Sequence, residues 1–154
     1  MWRAVQQALV IALAGSALGL LWNVVSPRRI PWRRAPRLAA SAGEQIDFER
    51  ARALWERGEA VFLDARSPGA YAAGHIAGAW SLPVEQFDAV FPKLRVRLAP
   101  EQELVVYCDG EHCDESVRLL AKLRVHGYSN AFVLVNGWTR WQLAGLPTSR
   151  EPLP

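Results

Sequence analysis

From Ala8 to Val25 the chain carries no charged side chain, and only Ser16 and Asn23 stand out as polar. A run of this length and character is just long enough to cross a hydrocarbon core as a helix. Small residues at Ala12, Ala14, Gly15, Ser16 and Ala17 resemble a leader cleavage site, but the apolar run continues through Leu18, Leu20, Leu21, Trp22, Val24 and Val25, which favours a retained anchor. The pattern then changes. Pro27, Pro31 and Pro36 alternate with arginines, so residues 26–43 read as a tether that cannot build a core. Asp47 is placed to cap a helix that turns Phe48, Ala51, Leu54 and Trp55 inward and stops at Gly58. Ala60 to Leu63 reads as a short buried strand, delivering Asp64 and Arg66 at its C-terminal end. Val84 to about Leu98 has helical spacing, with an interruption expected near Pro92. A strand over Leu104 to Tyr107, a helix over Asp114 to His126 closed by Gly127, a strand over Ala131 to Val135 and a last helix near Trp138 complete the reading.

Strands alternating with helices predict an α/β domain with a mostly parallel central sheet and helices on both faces, preceded by one transmembrane helix. The expected divisions are an anchor over 1–25, an Arg/Pro-rich juxtamembrane linker over 26–43 and a globular domain over 44–154. Ligands of such sheets bind beyond the C-terminal ends of the strands. Asp64, Arg66 and Cys108 all fall there.

Charge sharpens the picture. The formal net charge of +3 combines two unlike parts: six of the 18 basic residues lie before residue 38 with no acid among them, leaving 12 basic against 15 acidic side chains for the rest. Arg3 alone precedes the apolar run, whereas Arg28, Arg29, Arg33, Arg34 and Arg37 follow it. The positive-inside rule therefore places the domain in the cytoplasm. Trp2, Trp22 and Trp32 suit interfacial positions, and the basic strip suits anionic head groups. The domain itself shows no basic and aromatic interleaving for nucleic acid. Gly15 and Gly19 have the small-xxx-small spacing of a helix pair, so a homodimer through them is an expectation.

The chemistry centres on Cys108. It ends a buried strand and opens a polar loop, Asp109 to Cys113, that feeds a helix N-terminus. Backbone N–H groups at such a place hold a thiolate and a developing anion. An inert cysteine closing a core strand fits the same local pattern. Two cysteines in 154 residues, both inside one six-residue span, build no disulfide framework for a fold.

Other segments separate the two readings. Val61-Phe62-Leu63-Asp64-Ala65-Arg66-Ser67-Pro68, then Tyr71, then Gly74-His75-Ile76-Ala77-Gly78-Ala79 resembles the front signature of the rhodanese-like domain. Val135-Asn136-Gly137-Trp138, with Trp141 and Ala144-Gly145-Leu146-Pro147, resembles its closing signature. The likeness spans about Ile46 to Thr148 and sets Cys108 where the family keeps its catalytic cysteine. It implies a sulfurtransferase: Cys108 takes a sulfane sulfur from thiosulfate or a persulfide donor, carries it as Cys–S–SH, and passes it to a thiol or other nucleophilic acceptor. Covalent storage divides one difficult transfer into two easier ones. No cofactor is called for.

The expected active-site loop is Asp109, Gly110, Glu111, His112 and Asp114, with Arg66 nearby to orient a donor or to form a structural ion pair. The loop departs from the common family pattern, which places an arginine near its end; here Cys113 takes that region, with Asp109, Glu111, Asp114 and Glu115 around it. These acids disfavour anionic donors and oppose thiolate formation, although Asp114 and Glu115 also suit a first helical turn. Thiosulfate is thus expected to serve less well than a protein or small-molecule persulfide. Without an arginine between Cys108 and Arg118 the dianion clamp of the related cysteine phosphatases is missing. Cys113 is either a second thiol that resolves oxidised or persulfidated Cys108, or a small apolar helix start. Cys108, His112 and Cys113 are zinc-type ligands, but their spacing fits no structural zinc pattern, so no metal is expected. Two readings from other classes stay open: a non-catalytic interaction module at the membrane, and a Cys108/Cys113 redox relay. His75 is expected to hydrogen-bond within the scaffold.

Overall fold

The computed structural model describes residues 44–110 and 114–151, together with Trp2, Arg3, residues 5–7, Ser16 and Trp22. The chain divides into two compact units, Met1–Pro36 and Arg37–Pro154. In the first, every described residue is helical. Most of the predicted anchor, Gly15 and Gly19 included, lies outside the described residues. Among the described residues no helix is long and apolar enough to cross a membrane.

The second unit alternates as its sequence pattern requires. Helix α1 (Phe48–Arg57) starts where the Asp47 carboxylate accepts from Arg50 N–H at 2.8 Å and ends at Gly58, whose φ of 65° a side chain would resist. Strand β1 (Ala60–Asp64), helix α2 (Pro68–Ala73) and the short strands β2 (His75–Ile76) and β3 (Trp80–Ser81) follow. Next come a 3-10 turn at Val84–Gln86, α3 (Phe87–Arg95), β4 (Glu103–Tyr107), α4 (Asp114–Val125), β5 (Ala131–Leu134), α5 (Gly137–Leu143) and β6 (Thr148–Ser149).

The four-stranded sheet has the order β3-β1-β4-β5, and every pairing in it is parallel. Gln45 adds a parallel bridge to Val133 at the β5 edge. Strands β2 and β6 form a separate antiparallel pair. Along β4 the side chains alternate: Leu104, Val106 and Cys108 join the core under α3 and α4, while Val105 and Tyr107 face α1 and α5. Both faces of the sheet are thereby covered, as parallel sheets require. Trp141 anchors the second core, with Phe48 and Trp55 edge-on to it at 6.0 and 5.4 Å.

Pro92 does not interrupt its helix. α3 runs through it, and the break falls earlier, where the 3-10 turn gives way at Phe87. Pro92 is exposed and lacks one N–H, whereas its neighbours Phe91 and Leu94 are buried and hold the turn in place. The short pair β2 and β6 and the edge strand β3 carry no periodicity from which sequence could have announced them.

Candidate active site

Register brings the site together. Asp64 pairs with Tyr107 and Tyr107 with Leu134, so β1, β4 and β5 end at one level. The loops that leave these ends carry Arg66, Cys108 and Asn136.

Cys108 is 1% exposed. Its sulfur lies 3.3 Å from the hydroxyl oxygen of Ser116, itself buried in the first turns of α4. Its carbonyl accepts from Trp138 N–H at 3.1 Å, so the start of α5 also fixes its backbone. Cys108 is disulfide-bonded, and no cysteine among the described residues is free. The sequence holds one other cysteine, Cys113, which lies with Glu111 and His112 outside the described residues.

The following loop is tied down from α5. Gly110 takes a φ of 81°, which suits glycine, and its N–H donates to the Asn136 side-chain oxygen at 3.1 Å. That N–H is spent within the scaffold. The Thr139 hydroxyl donates to the Asp109 carboxylate, giving this exposed acid a protein partner. Asn136 itself sits in the left-handed region, with φ 52°. Gly137 comes next because nothing larger fits: a Cβ there would stand 2.7 Å from Cβ of Tyr107 and 3.1 Å from Cγ of Leu134. Close approach of α5 to the end of β4 depends on that glycine. Asp114 opens α4 half-buried, with one carboxylate oxygen buried and unpartnered.

Arg66 serves two roles at once. Its Nη2 meets Asp64 Oδ2 at 2.6 Å, its Nε meets Asp64 Oδ1 at 3.0 Å, and Nη2 also donates to Gly74 O at 2.7 Å. The side chains of Asp64 and Arg66 are only 0 and 9% exposed. Burial works against the guanidinium charge, but the hydrogen bond and charge of Asp64 outweigh it and push the Arg66 pKa up. The guanidinium also stacks 4.5 Å from the Trp138 ring. Arg66 still lines an open cleft of about 290 Å³ with Ser67, Ala70, Asp109 and Glu115. Arg66 thus forms a structural ion pair whose outer edge lines this cleft beside Asp109.

Tyr107 lies behind the pair. Burial, then the Asp64 charge, push its phenol well above the usual tyrosine range, although a bond from Ile76 N–H at 3.2 Å opposes this. His75 is scaffold: fully buried, it places Nδ1 2.9 Å from Tyr71 O and stacks on the Tyr71 ring at 3.7 Å. Arg118 lies on the flank of α4, where it pairs with Glu85 at 3.0 Å. Among the described residues no cluster of His, Cys, Asp or Glu is placed to hold a metal ion.

Sequence reasoning missed Ser116, Asn136 and Thr139. Their partners stand 8 to 30 positions away along the chain, a distance at which no spacing rule signals contact.

Comparison with known proteins agrees with this geometry. The chain is 33% identical over 92 residues to an HTH-type transcriptional regulator of Mycobacterium tuberculosis, covering 60% of this chain and 38% of that protein. It is 26% identical over 111 residues to a tRNA uridine(34) hydroxylase of Cronobacter sakazakii, covering 70% and 28%. The chain thus spans little more than a third, or less, of the curated relatives it matches. A human single-domain sulfurtransferase superposes with a TM-score of 0.56 at 25% identity, over 65% of this chain and 96% of that one. A cysteine-persulfide form of EanB with ergothioneine superposes with a TM-score of 0.60 at 25% identity, over 69% of this chain and 28% of that one. The rhodanese-like domain profile matches residues 47–144, which hold β1, β4, Arg66 and Cys108, and the chain belongs to the rhodanese-like domain family.

Proposed function

We propose that this protein moves sulfane sulfur through a persulfide on Cys108 to a thiol or other nucleophilic acceptor. The observation that carries the reading is the position of Cys108 at the end of the central parallel strand, with the Ser116 hydroxyl 3.3 Å from its sulfur. Family membership supports the general class of sulfur transfer, and so does the likeness to a human sulfurtransferase. In the first step, once a thiol reductant has opened the disulfide, the Cys108 thiolate attacks the outer sulfur of the donor; the donor's S–S bond breaks and its electron pair leaves on the donor thiolate. In the second, an acceptor thiolate attacks the stored sulfur and Cys108 leaves as a thiolate. A thiolate has no proton to give, so the Ser116 hydroxyl, 3.3 Å away, would turn to donate to it and favour the anionic form in both.

The mouth of the site favours a persulfide donor over thiosulfate. Asp109 and Glu115 line the cleft, and the cationic group facing them, Arg66, already balances Asp64. A dianion entering there meets the negative charge of Asp109 and Glu115. Steady-state turnover with thiosulfate and with glutathione persulfide tests this, and equal efficiency with both would contradict it.

A second reading has its own support, because Cys108 is disulfide-bonded. In a redox relay, the Cys113 thiolate attacks the inner sulfur of the Cys108 persulfide, closing a disulfide and releasing hydrogen sulfide. Cys113→Ser separates the two, since simple transfer survives it and the relay does not. A pure interaction module would lose nothing on Cys108→Ser.

For the full chain we propose a single-pass membrane protein with the domain on the cytoplasmic side. The uncharged run from Ala8 to Val25 and the five arginines after it support this. Pairing through Gly15 and Gly19 belongs to the same proposal, and crosslinking of wild type against Gly19→Leu tests it.

A further inference from the structure

At the end of the domain where α3 and α4 terminate, two large apolar side chains face solvent: Val96 is 84% and Val125 85% exposed. Beside Val96 an open cleft of about 450 Å³ is lined by Phe91, Pro92, Arg95, Val96 and His126, the last of these following Val125 in the chain. The lining is mostly apolar, and single exposed valines alone would mean little. Two further facts identify what covers it. Lys93, Arg95 and Arg97 are all exposed, Arg95 lining the cleft and Arg97 lying 4.8 Å over the Trp80 ring, with no acid between Asp88 and Glu101. Asp88 itself is paired with Lys122 at 3.4 Å. The chain also enters the domain at this end, where Glu44 pairs at 3.1 Å with Arg124, the residue before Val125. In the sequence, Arg28, Arg29, Arg33, Arg34 and Arg37 precede this point.

We infer that the Val96/Val125 end of the domain docks on an anionic lipid leaflet, the valines entering the interface while Lys93, Arg95 and Arg97 meet phosphate head groups. Long basic side chains around a small apolar patch suit that boundary, with their stems lying on it and their charges reaching outward. A second copy of this chain would present the same basic residues and repel. The inference rests on the proposed anchor for proximity, but not on sulfur transfer.

The test is amide hydrogen exchange of the full chain reconstituted in phosphatidylcholine vesicles and in vesicles with about one-third phosphatidylglycerol. Peptides covering residues 91–98 and 122–128 are expected to exchange about threefold or more slowly in the anionic vesicles. The difference is expected to vanish in Lys93→Glu/Arg95→Glu and to shrink at high salt. In Val96→Asp/Val125→Asp it is expected to vanish as well; β4 peptides report whether either variant still folds, and the charge pair stands if the valine pair does not. Equal exchange in both vesicles would overturn the inference. Protection that grows with protein density in neutral vesicles would overturn it in favour of a second copy. Carbonate-resistant flotation reports the anchor separately: a chain that floats only with anionic vesicles, and is stripped by carbonate, keeps the docking face and loses the anchor.

Discussion

Ser116 and Cys108 stand eight positions apart yet place hydroxyl and sulfur 3.3 Å from each other inside the protein. Their contact links the first turns of α4 to the end of β4, so the helix that covers the sheet also touches the proposed nucleophile. A hydrogen bond to a charged group contributes about 1.5–3 kcal/mol. Ser116→Ala is therefore expected to raise the ionisation midpoint of reduced Cys108 by about one unit. Iodoacetamide alkylation rate against pH measures it, and an unchanged midpoint would remove Ser116 from the account.

Asp64 and Arg66 make the most buried ion pair among the described residues. Removing one partner strands the other charge, which costs about 3–5 kcal/mol. Asp64→Ala is expected to lose that much in urea unfolding. Arg66→Met leaves Asp64 similarly exposed to the penalty. A loss under about 1 kcal/mol for both would mean that water reaches the pair.

Gly137 has no room for a side chain against Tyr107 and Leu134. Gly137→Ala is expected to cost about 1–3 kcal/mol through overpacking and to loosen the bond from Gly110 to Asn136. Urea midpoints measure the first effect and amide exchange at Gly110 the second.

Tyr107 gives a pH dependence with a definite sign. Its pKa is raised in the folded state, so the folded protein holds the phenolic proton that the unfolded chain releases near pH 10. The stability it contributes is full below that pH and falls as pH rises above it, by about 1.4 kcal/mol per unit. Tyr107→Phe is expected to be less stable at pH 8 but to show a shallower decline between pH 10 and about 11.5. Parallel slopes for the two proteins would contradict the assignment.

Much of the scaffold was legible because local chemistry and burial agree there. Asp47 and Gly58 bracket α1 as their capping chemistry predicts, and the apolar runs of β1, β4 and β5 became the buried parallel strands. Cys108 at the end of β4 followed directly from that pattern. Pro92 misled because a single missing N–H is a small loss beside the burial of Phe91 and Leu94. Strands β2 and β6 span two residues each, too short for any period to show. The supports of the loop stayed hidden for another reason. Ser116, Asn136 and Thr139 are ordinary polar residues whose roles arise when register lays β1, β4 and β5 side by side. Arg66 was readable as near the site, but only the fold shows how much of its charge Asp64 already uses.

The central claim is that the sulfur of residue 108 carries the transferred atom, and intact mass spectrometry of the reduced full chain after exposure to glutathione persulfide tests it most directly. A gain of one sulfur atom, removed by a thiol acceptor and absent in Cys108→Ser, is the predicted result. An unchanged mass in the wild type, or the same gain in Cys108→Ser, would contradict the account.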